Sequence, residues 1–532
     1  MPTPIKSILC SASLALAALQ ALQAEVRLNS LFSDGMVVQR ETEIPIWGWA
    51  DAGETVSITA SWGASAQTTT NADGTWKTSL ATPAAGGPFE ITIAGENEIV
   101  LDDVLSGEVW FCGGQSNMDF AMNRYLNDAR EAEYQPVVEF MRKEVATAVD
   151  NWIRHIEVPQ TPSLFEKKSD FDGQWLSVKP GQTEVMTATG YFFAKELRKE
   201  LNVPIGLVEC SWGGTRIQPW ISEETYRKDP SMSAYFDEEL AKNQAQIDTM
   251  DAPGYVDTAY EKALKRWKEN GSKGRKPSPT TDPRKDRQTP ATLYNGMLSA
   301  VIPYKIKGAL WYQGESNASY MTDEYEQYLA ALVNSWREEW GQGAFPFYWV
   351  QLAGYNAGEL RDIGWAEIND QLRRGLQLPN TGMAVAYDIG EAKDIHPHNK
   401  YDVGKRLSLW ALGKDYGVSV PAISGPLYKN SKVKGRKLIL TFDEVGSGLM
   451  VGKKELMNET VPVDEALQQF EIAGKDGVWK NAQARIVSKN KVELTHPEIK
   501  KPVKARYAWE ANPEEANLYN KEGLPASVFT TE

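Results

Sequence analysis

The sequence predicts a mixed α/β protein in which a parallel sheet, covered on both faces by helices, lies between two β-rich regions. Three observations carry that reading. From residue 106 onward, apolar runs of strand length (205–210, 306–312, 347–352 and 383–387) alternate with stretches of helical period (191–201, 325–340, 366–376 and 401–416), which is the rhythm of βα units. Before residue 105 and after about residue 420, short runs of alternating apolar residues replace it. The run 109–112 stops at two glycines followed by Gln115 and then Ser116, and glycines let a chain bend sharply where a buried strand passes into a helix.

Taken in order, residues 1–24 read as a secretory signal, with Lys6 at the start and an alanine-rich apolar stretch over 8–24. A periplasmic or secreted address follows. Residues 25–105 form an expected β-sandwich domain: Val56, Ile58 and Ala60 alternate, as do Trp76, Thr78 and Leu80, then Phe89, Ile91 and Ile93, with Asn71-Ala72-Asp73-Gly74 as a turn. Residues 106–419 hold the α/β domain. Two polar stretches, 125–150 and 223–290, interrupt it and read as surface insertions of the kind that rim a site. Residues 420–532 return to β, with Leu438, Leu440 and Phe442 alternating, then Phe470 with Ile472 and Val492 with Leu494.

The chain has 532 residues and a formal net charge of −14. That balance argues against nucleic acid and anionic membrane surfaces as partners, and an anionic substrate would need a local positive group. After the signal, no run approaches the ~20 apolar residues of a membrane span. Cys10 leaves with the signal; Cys112 and Cys210 end two strand-length runs, and adjacent parallel strands rarely offer disulfide geometry, so two buried free thiols are expected. No Cys/His spacing suggests a metal, and no cofactor is implied. Most of the 18 tryptophans are expected in cores.

In ligand-binding α/β sheets the site lies at the carboxyl ends of the strands, and four polar blocks fall at such ends: Gly113-Gly114-Gln115-Ser116-Asn117-Met118, Ser211-Trp212-Gly213-Gly214-Thr215, Trp311-Tyr312-Gln313-Gly314-Glu315-Ser316-Asn317 and Asp394-Ile395-His396-Pro397. Ser116 has the position of a nucleophile. A seryl hydroxyl needs a base, and histidine suits neutral pH. Of the four histidines, His155 lies in a plausible strand and His496 in the C-terminal β region. His396, in a loop before a helix, is the candidate base, with His398 in reserve. Asp394 is the nearest acid to orient it; Glu315 is its rival, and Asp388 a weaker third. Gly213 and Gly214 allow close backbone approach, so the N–H groups of Ser116 and Gly214 are candidates for an oxyanion site. Arg216, Trp212 and Gln115 are candidates for contact with substrate.

In this order the four blocks resemble the sialate O-acetylesterase family, a branch of the SGNH hydrolases, strongly over 106–417 and more weakly beyond. The resemblance implies a flavodoxin-like three-layer hydrolase domain and an esterase that removes acetyl groups from O-acetylated carbohydrate, 9-O-acetylated sialic acid first. It also implies a side-chain amide from the third block in the oxyanion hole, with Gln313 first and Asn317 second. Asp394 stands two residues before His396, where the broad SGNH pattern has the acid three before, at Lys393. Related acetylxylan esterases use the glutamate of a Gln-Gly-Glu run, which keeps Glu315 open as the third group. The alternatives are an acetylxylan or hemicellulose acetylesterase of the same mechanism, and a carbohydrate-binding protein with a degenerate site. A glycosidase using Glu315 and Asp394 leaves Ser116 and His396 without a role.

Overall fold

The computed structural model of the protein describes residues 25–126, 132–356 and 364–532; the expected secretory segment lies outside them. A large mixed sheet forms the centre. We number its strands β1 (Glu98–Gly114), β2 (Asp150–Glu157), β3 (Leu176–Val178), β4 (Ile205–Ser211), β5 (Gly308–Tyr312), β6 (Phe347–Gln351) and β7 (Thr381–Val385). The order across the sheet is β3-β2-β4-β1-β5-β6-β7. Neighbours from β2 to β7 are parallel, and β3 pairs antiparallel with β2 at the edge. Strands β4 to β7 are buried along their whole length, as expected of parallel strands covered on both faces.

β1 differs from expectation. It is not a short strand over 109–112 but a single strand of 17 residues that runs through the predicted boundary at 105. Its first part pairs antiparallel with Gly86–Ala94, and Val37–Gln39 joins it in parallel at residues 105–107. Its last part lies between β4 and β5. The burial pattern explains the misreading: Leu101 is buried while Asp102 and Asp103 are exposed, and from Val104 onward every residue is buried. The same strand has one wet face and then none, so its sequence period changes partway.

The main helices are α1 (Gln135–Thr147), α2 (Ala188–Leu201), α3 (Pro230–Asp251), α4 (Thr258–Glu269), α5 (Tyr325–Trp340), α6 (Trp365–Arg374) and α7 (Lys400–Trp410). α1 occupies half of the stretch expected as the first surface insertion, yet it buries Val137, Val138, Met141 and Val145. In the second insertion α4 buries no residue. α2 and α7 approach closely: a Cβ at Gly404 would lie 2.6 Å from the Phe193 nitrogen and 2.7 Å from the Phe192 Cβ. No described helix is long and apolar enough to cross a membrane.

At the N-terminal end, Arg27–Leu28, Glu43–Trp49 and Thr75–Ala81 form an antiparallel sheet, while Thr55–Ala60 pairs antiparallel with Ser65–Thr69 and Gly86–Ala94. At the C-terminal end, Leu427–Lys434, Lys437–Asp443, Lys491–Thr495 and Gln483–Ser488 form one antiparallel sheet, and Trp479–Asn481, Phe470–Ala473, Lys504–Tyr507 and Phe529–Thr530 another. This end folds back on the centre. The Gln351 side chain accepts from the Val528 N–H at 3.1 Å and donates to the Val528 carbonyl at 3.3 Å. Cys112 and Cys210, on neighbouring β1 and β4, are buried free thiols.

Candidate active site

The site forms where β1, β4 and β5 end. Gly114 closes β1 at φ +143°, and a Cβ there would meet the Tyr312 carbonyl oxygen at 2.2 Å. Only glycine tolerates both the angle and the approach. The Gln115 N–H then donates to the Tyr312 carbonyl at 3.0 Å. β1 is thus pinched against the end of β5, and Ser116 is delivered over the edge of the sheet.

His396 meets it from the loop after β7, with Nε2 2.8 Å from the Ser116 Oγ. Asp394 Oδ1 lies 3.4 Å from His396 Nδ1 and accepts the backbone N–H of His396 at 2.9 Å. Among the described residues, Asp394 is the carboxylate within ion-pair distance of this imidazole. Glu315 is buried nearby, in the short helical turn Glu315–Asn317, and its Oε1 accepts from Asn117 Nδ2 at 2.6 Å. Burial raises its pKa above the usual carboxylate range, while the Asn117 hydrogen bond and the nearby His396 and Lys400 pull it back. Asp388 is engaged elsewhere, paired with Arg406 at 2.6 and 2.8 Å. His398 pairs with Glu391 at 2.7 Å and His155 with Glu209 at 2.8 Å, both away from Ser116.

The expected amide donors are engaged mainly with groups of neighbouring loops. Gln313 Nε2 has two hydrogens and faces three acceptors: Asn317 Oδ1 at 2.9 Å, with Gln115 Oε1 and the Thr215 carbonyl at 3.1 Å. Asn317 Nδ2 donates to Gln218 Oε1 at 3.1 Å and the Tyr320 carbonyl at 3.3 Å. Gln115, expected at the substrate, is buried, and its Oε1 also accepts the Ser316 N–H at 3.2 Å. These three amides brace the first three blocks against one another. A sequence cannot reveal this, because the partners come from three loops.

The second block forms a turn against the first. A Cβ at Gly213 would lie 3.3 Å from the Ser116 Cβ, and Gly214 has φ +74°. Among the described residues, neither the Ser116 nor the Gly214 N–H donates to a protein acceptor. Beside this turn, the Arg216 guanidinium lies 3.4 Å above the Tyr320 ring. Trp212 is half-buried under Arg287, whose Cζ is 5.7 Å from the indole centroid.

Two residues near the site escaped sequence reasoning. Lys400 is buried, and its Nζ donates to Asn117 Oδ1 at 2.8 Å and to the Pro397 carbonyl at 2.6 Å. Burial lowers its pKa to about 7, against the pull of Glu391 and Glu315. Nothing in its surrounding pattern marks it as buried. Asp119 lies three residues after Ser116, with Oδ2 accepting the Gly213 N–H at 3.1 Å. Burial, helped by Glu209, raises its pKa to about 7. Its signal was its spacing, one helical turn past the serine.

Acyl transfer from an ester needs a nucleophile with a base and a place for the negative charge that develops. The geometry where β1 and β4 end is compatible with both, and the known relatives make the chain a carboxylic ester hydrolase. Comparison with known proteins narrows the class. Residues 106–411 match the family model described as carbohydrate esterase, sialic acid-specific acetylesterase, and the chain belongs to that family. The sialate O-acetylesterase of Rattus norvegicus is 31% identical over 465 residues, 79% of each chain. That of Pongo abelii is 28% identical over 544 residues, 94% of this chain and 92% of the relative. A solved carbohydrate acetylesterase from Xanthomonas citri matches with a TM-score of 0.75 and 33% identity, over 95% of this chain and 99% of that one.

Proposed function

We propose that the protein is a secreted serine esterase that removes acetyl groups from O-acetylated sugars, with 9-O-acetylated sialic acid as its first substrate class. The 2.8 Å contact between Ser116 Oγ and His396 Nε2 carries the reading. His396 takes the Ser116 proton as Oγ attacks the acetyl carbonyl. The oxyanion is received by the N–H groups of Ser116 and Gly214, which have no other acceptor among the described residues. His396 then protonates the departing sugar oxygen, and water releases acetate from Ser116. Asp394 orients the imidazole through Oδ1 and carries the opposite charge to the imidazolium.

The sialate reading draws on two cations. In a chain of net charge −14, Arg216 and the exposed Arg287 flank the Gly213–Gly214 turn, and neither has a carboxylate partner among the described residues. A guanidinium can hold a sugar carboxylate through paired hydrogen bonds. Apart from β2 and β3 at one edge, the order β4-β1-β5-β6-β7 reads 2-1-3-4-5 and supports the flavodoxin-like SGNH layering. We further assign residues 1–24 to a secretory signal, 25–105 and 420–532 to flanking β domains, and 106–419 to the hydrolase domain.

Acetate release by wild type and Ser116→Ala, from O-acetylated sialic acid and from acetylated xylan, tests the proposal. Release from the sialic acid that is lost in the variant is the expected result. Release confined to xylan overturns the substrate and keeps the mechanism. Turnover that persists in Ser116→Ala overturns the mechanism.

A further inference from the structure

Among the peptide groups of the turn that follows β4, the one between Gly213 and Gly214 stands apart. Before it, the Trp212 N–H donates to the Gly114 carbonyl at 3.1 Å, the Trp212 carbonyl accepts from the Thr215 hydroxyl at 2.8 Å, and the Gly213 N–H donates to Asp119 Oδ2 at 3.1 Å. After it, the Gly214 carbonyl accepts from Gln288 Nε2 at 2.6 Å and the Arg216 N–H donates to Gln288 Oε1 at 3.1 Å. The Thr215 carbonyl accepts from Gln313. Every peptide group flanking the 213–214 unit is therefore pinned, while the Gly214 N–H has no acceptor among the described residues.

A peptide plane turns only by changing the dihedral angles at its two ends. Glycine at both ends leaves those angles otherwise free, so the neighbouring hydrogen bonds must hold the plane. We propose that Asp119 and Gln288 are positioning residues that clamp the turn from its two sides and fix the direction of the Gly214 N–H before substrate arrives. The inference rests on the reading of that N–H as an oxyanion donor.

The two clamps come from unrelated parts of the chain. Asp119 lies one turn past the nucleophile, with its own N–H donating to the Gln115 carbonyl at 2.9 Å, so it ties the oxyanion turn to the segment that carries Ser116. Gln160 supports it from behind, with Nε2 3.3 Å from Asp119 Oδ1 and 3.4 Å from the Ser211 carbonyl. Gln288 sits at the end of the long polar insertion, which gives that insertion a task in the chemistry. Preorganised donors are what an oxyanion site needs, because a dipole that must first turn loses much of its benefit.

The test is steady-state hydrolysis of 4-nitrophenyl acetate by the full chain, with Asp119→Ala, Asp119→Asn, Gln288→Ala, the Asp119→Ala/Gln288→Ala pair, and Ser116→Ala as reference. Asp119→Ala and Gln288→Ala should each lower kcat by about 10–100-fold with KM within about twofold, since the lost contact matters in the transition state. Asp119→Asn should recover most of the loss, because its amide oxygen still accepts the Gly213 N–H. The pair should fall well short of the product of the single losses, because one released side already frees the plane. Equal activity of wild type and both alanine variants overturns the clamp, as does a loss confined to KM or an asparagine variant no better than alanine. An active Ser116→Ala removes the oxyanion reading and the clamp with it; an inactive Ser116→Ala beside unaffected clamp variants removes the clamp alone.

Discussion

Replacing Asp119 by asparagine should stabilise the protein, by an amount that grows with pH. Burial strips water from the carboxyl, and Glu209 on β4 and, more weakly, Glu157 on β2 repel its charge, while the Gly213 N–H and Arg124 favour it. Its pKa moves from 3.8 to about 7. A raised carboxyl pKa means that the folded state holds a proton the unfolded chain releases. The penalty is therefore absent below about pH 4, builds between about pH 4 and 7, and is complete above that. The full value is at most roughly 4 kcal/mol, of which about 1.5 is present at pH 5. Asparagine has the same shape, keeps an acceptor for Gly213 and carries no charge, so it escapes the penalty. Urea unfolding of wild type and variant, followed by tryptophan fluorescence at pH 5 and pH 8, reads the difference. The variant should gain more at pH 8, by about 1–3 kcal/mol over its gain at pH 5. An equal gain at the two pH values, or a larger one at pH 5, would falsify the reasoning.

Asp394→Asn should lower kcat by about 100-fold or more, while Glu315→Gln stays within about tenfold, because the Glu315 oxygen reaches Asn117 and not the imidazole; the opposite ranking in initial rates would move the orienting role to Glu315. Lys400→Met should stabilise the protein most at pH 6 and hardly at all by pH 10. The lysine pKa is lowered from 10.5 to about 7, so the cost of its charge is full below 7 and fades as pH rises toward 10.5; denaturation midpoints at the two pH values check this. Gly404→Ala should destabilise by roughly 1–3 kcal/mol or more, since its Cβ would press on the backbone and side chains of α2 at 2.6 and 2.7 Å, and a midpoint unchanged from wild type would rule out that close contact.

The elements that repeat a simple period were legible in the sequence. The helix over 325–340 appears as α5 with the same ends, and the strand over 205–210 as β4, buried throughout. The four blocks were legible because glycines and polar groups stand out at the ends of apolar runs, and Ser116, His396 and Asp394 come together. What the sequence hid was of two kinds. β1 changes period along its length because its surroundings change from half-exposed to enclosed. The hydrogen-bond commitments of Gln115, Gln313 and Asn317 depend on which loops meet, and residue type alone cannot say whether an amide faces a substrate or a neighbour. Gln288 carried no signal at all: its role is set by the return of a long insertion to the turn after β4.

The group behind Ser116 and His396 follows one electrostatic logic. Glu315 and Lys400 are both buried, and burial drives both toward neutrality, the acid upward and the amine downward. Asn117 stands between them. Its Nδ2 donates to Glu315 and to the Ile395 carbonyl, and its Oδ1 accepts from Lys400. The loop that carries His396 is thereby tied, through the residue just before it, to the segment that carries Ser116. Lys400 also holds the Pro397 carbonyl, just after His396. Two backbone anchors thus bracket the histidine, one from a neutral amide and one from a buried amine. Apolar residues of similar volume would avoid the desolvation of two ionisable groups, but they could hold neither the Asn117 amide nor the Pro397 carbonyl. The arrangement accepts weaker burial energetics in return for a fixed distance of 2.8 Å between Ser116 and His396, and the proposed proton transfer depends on that distance.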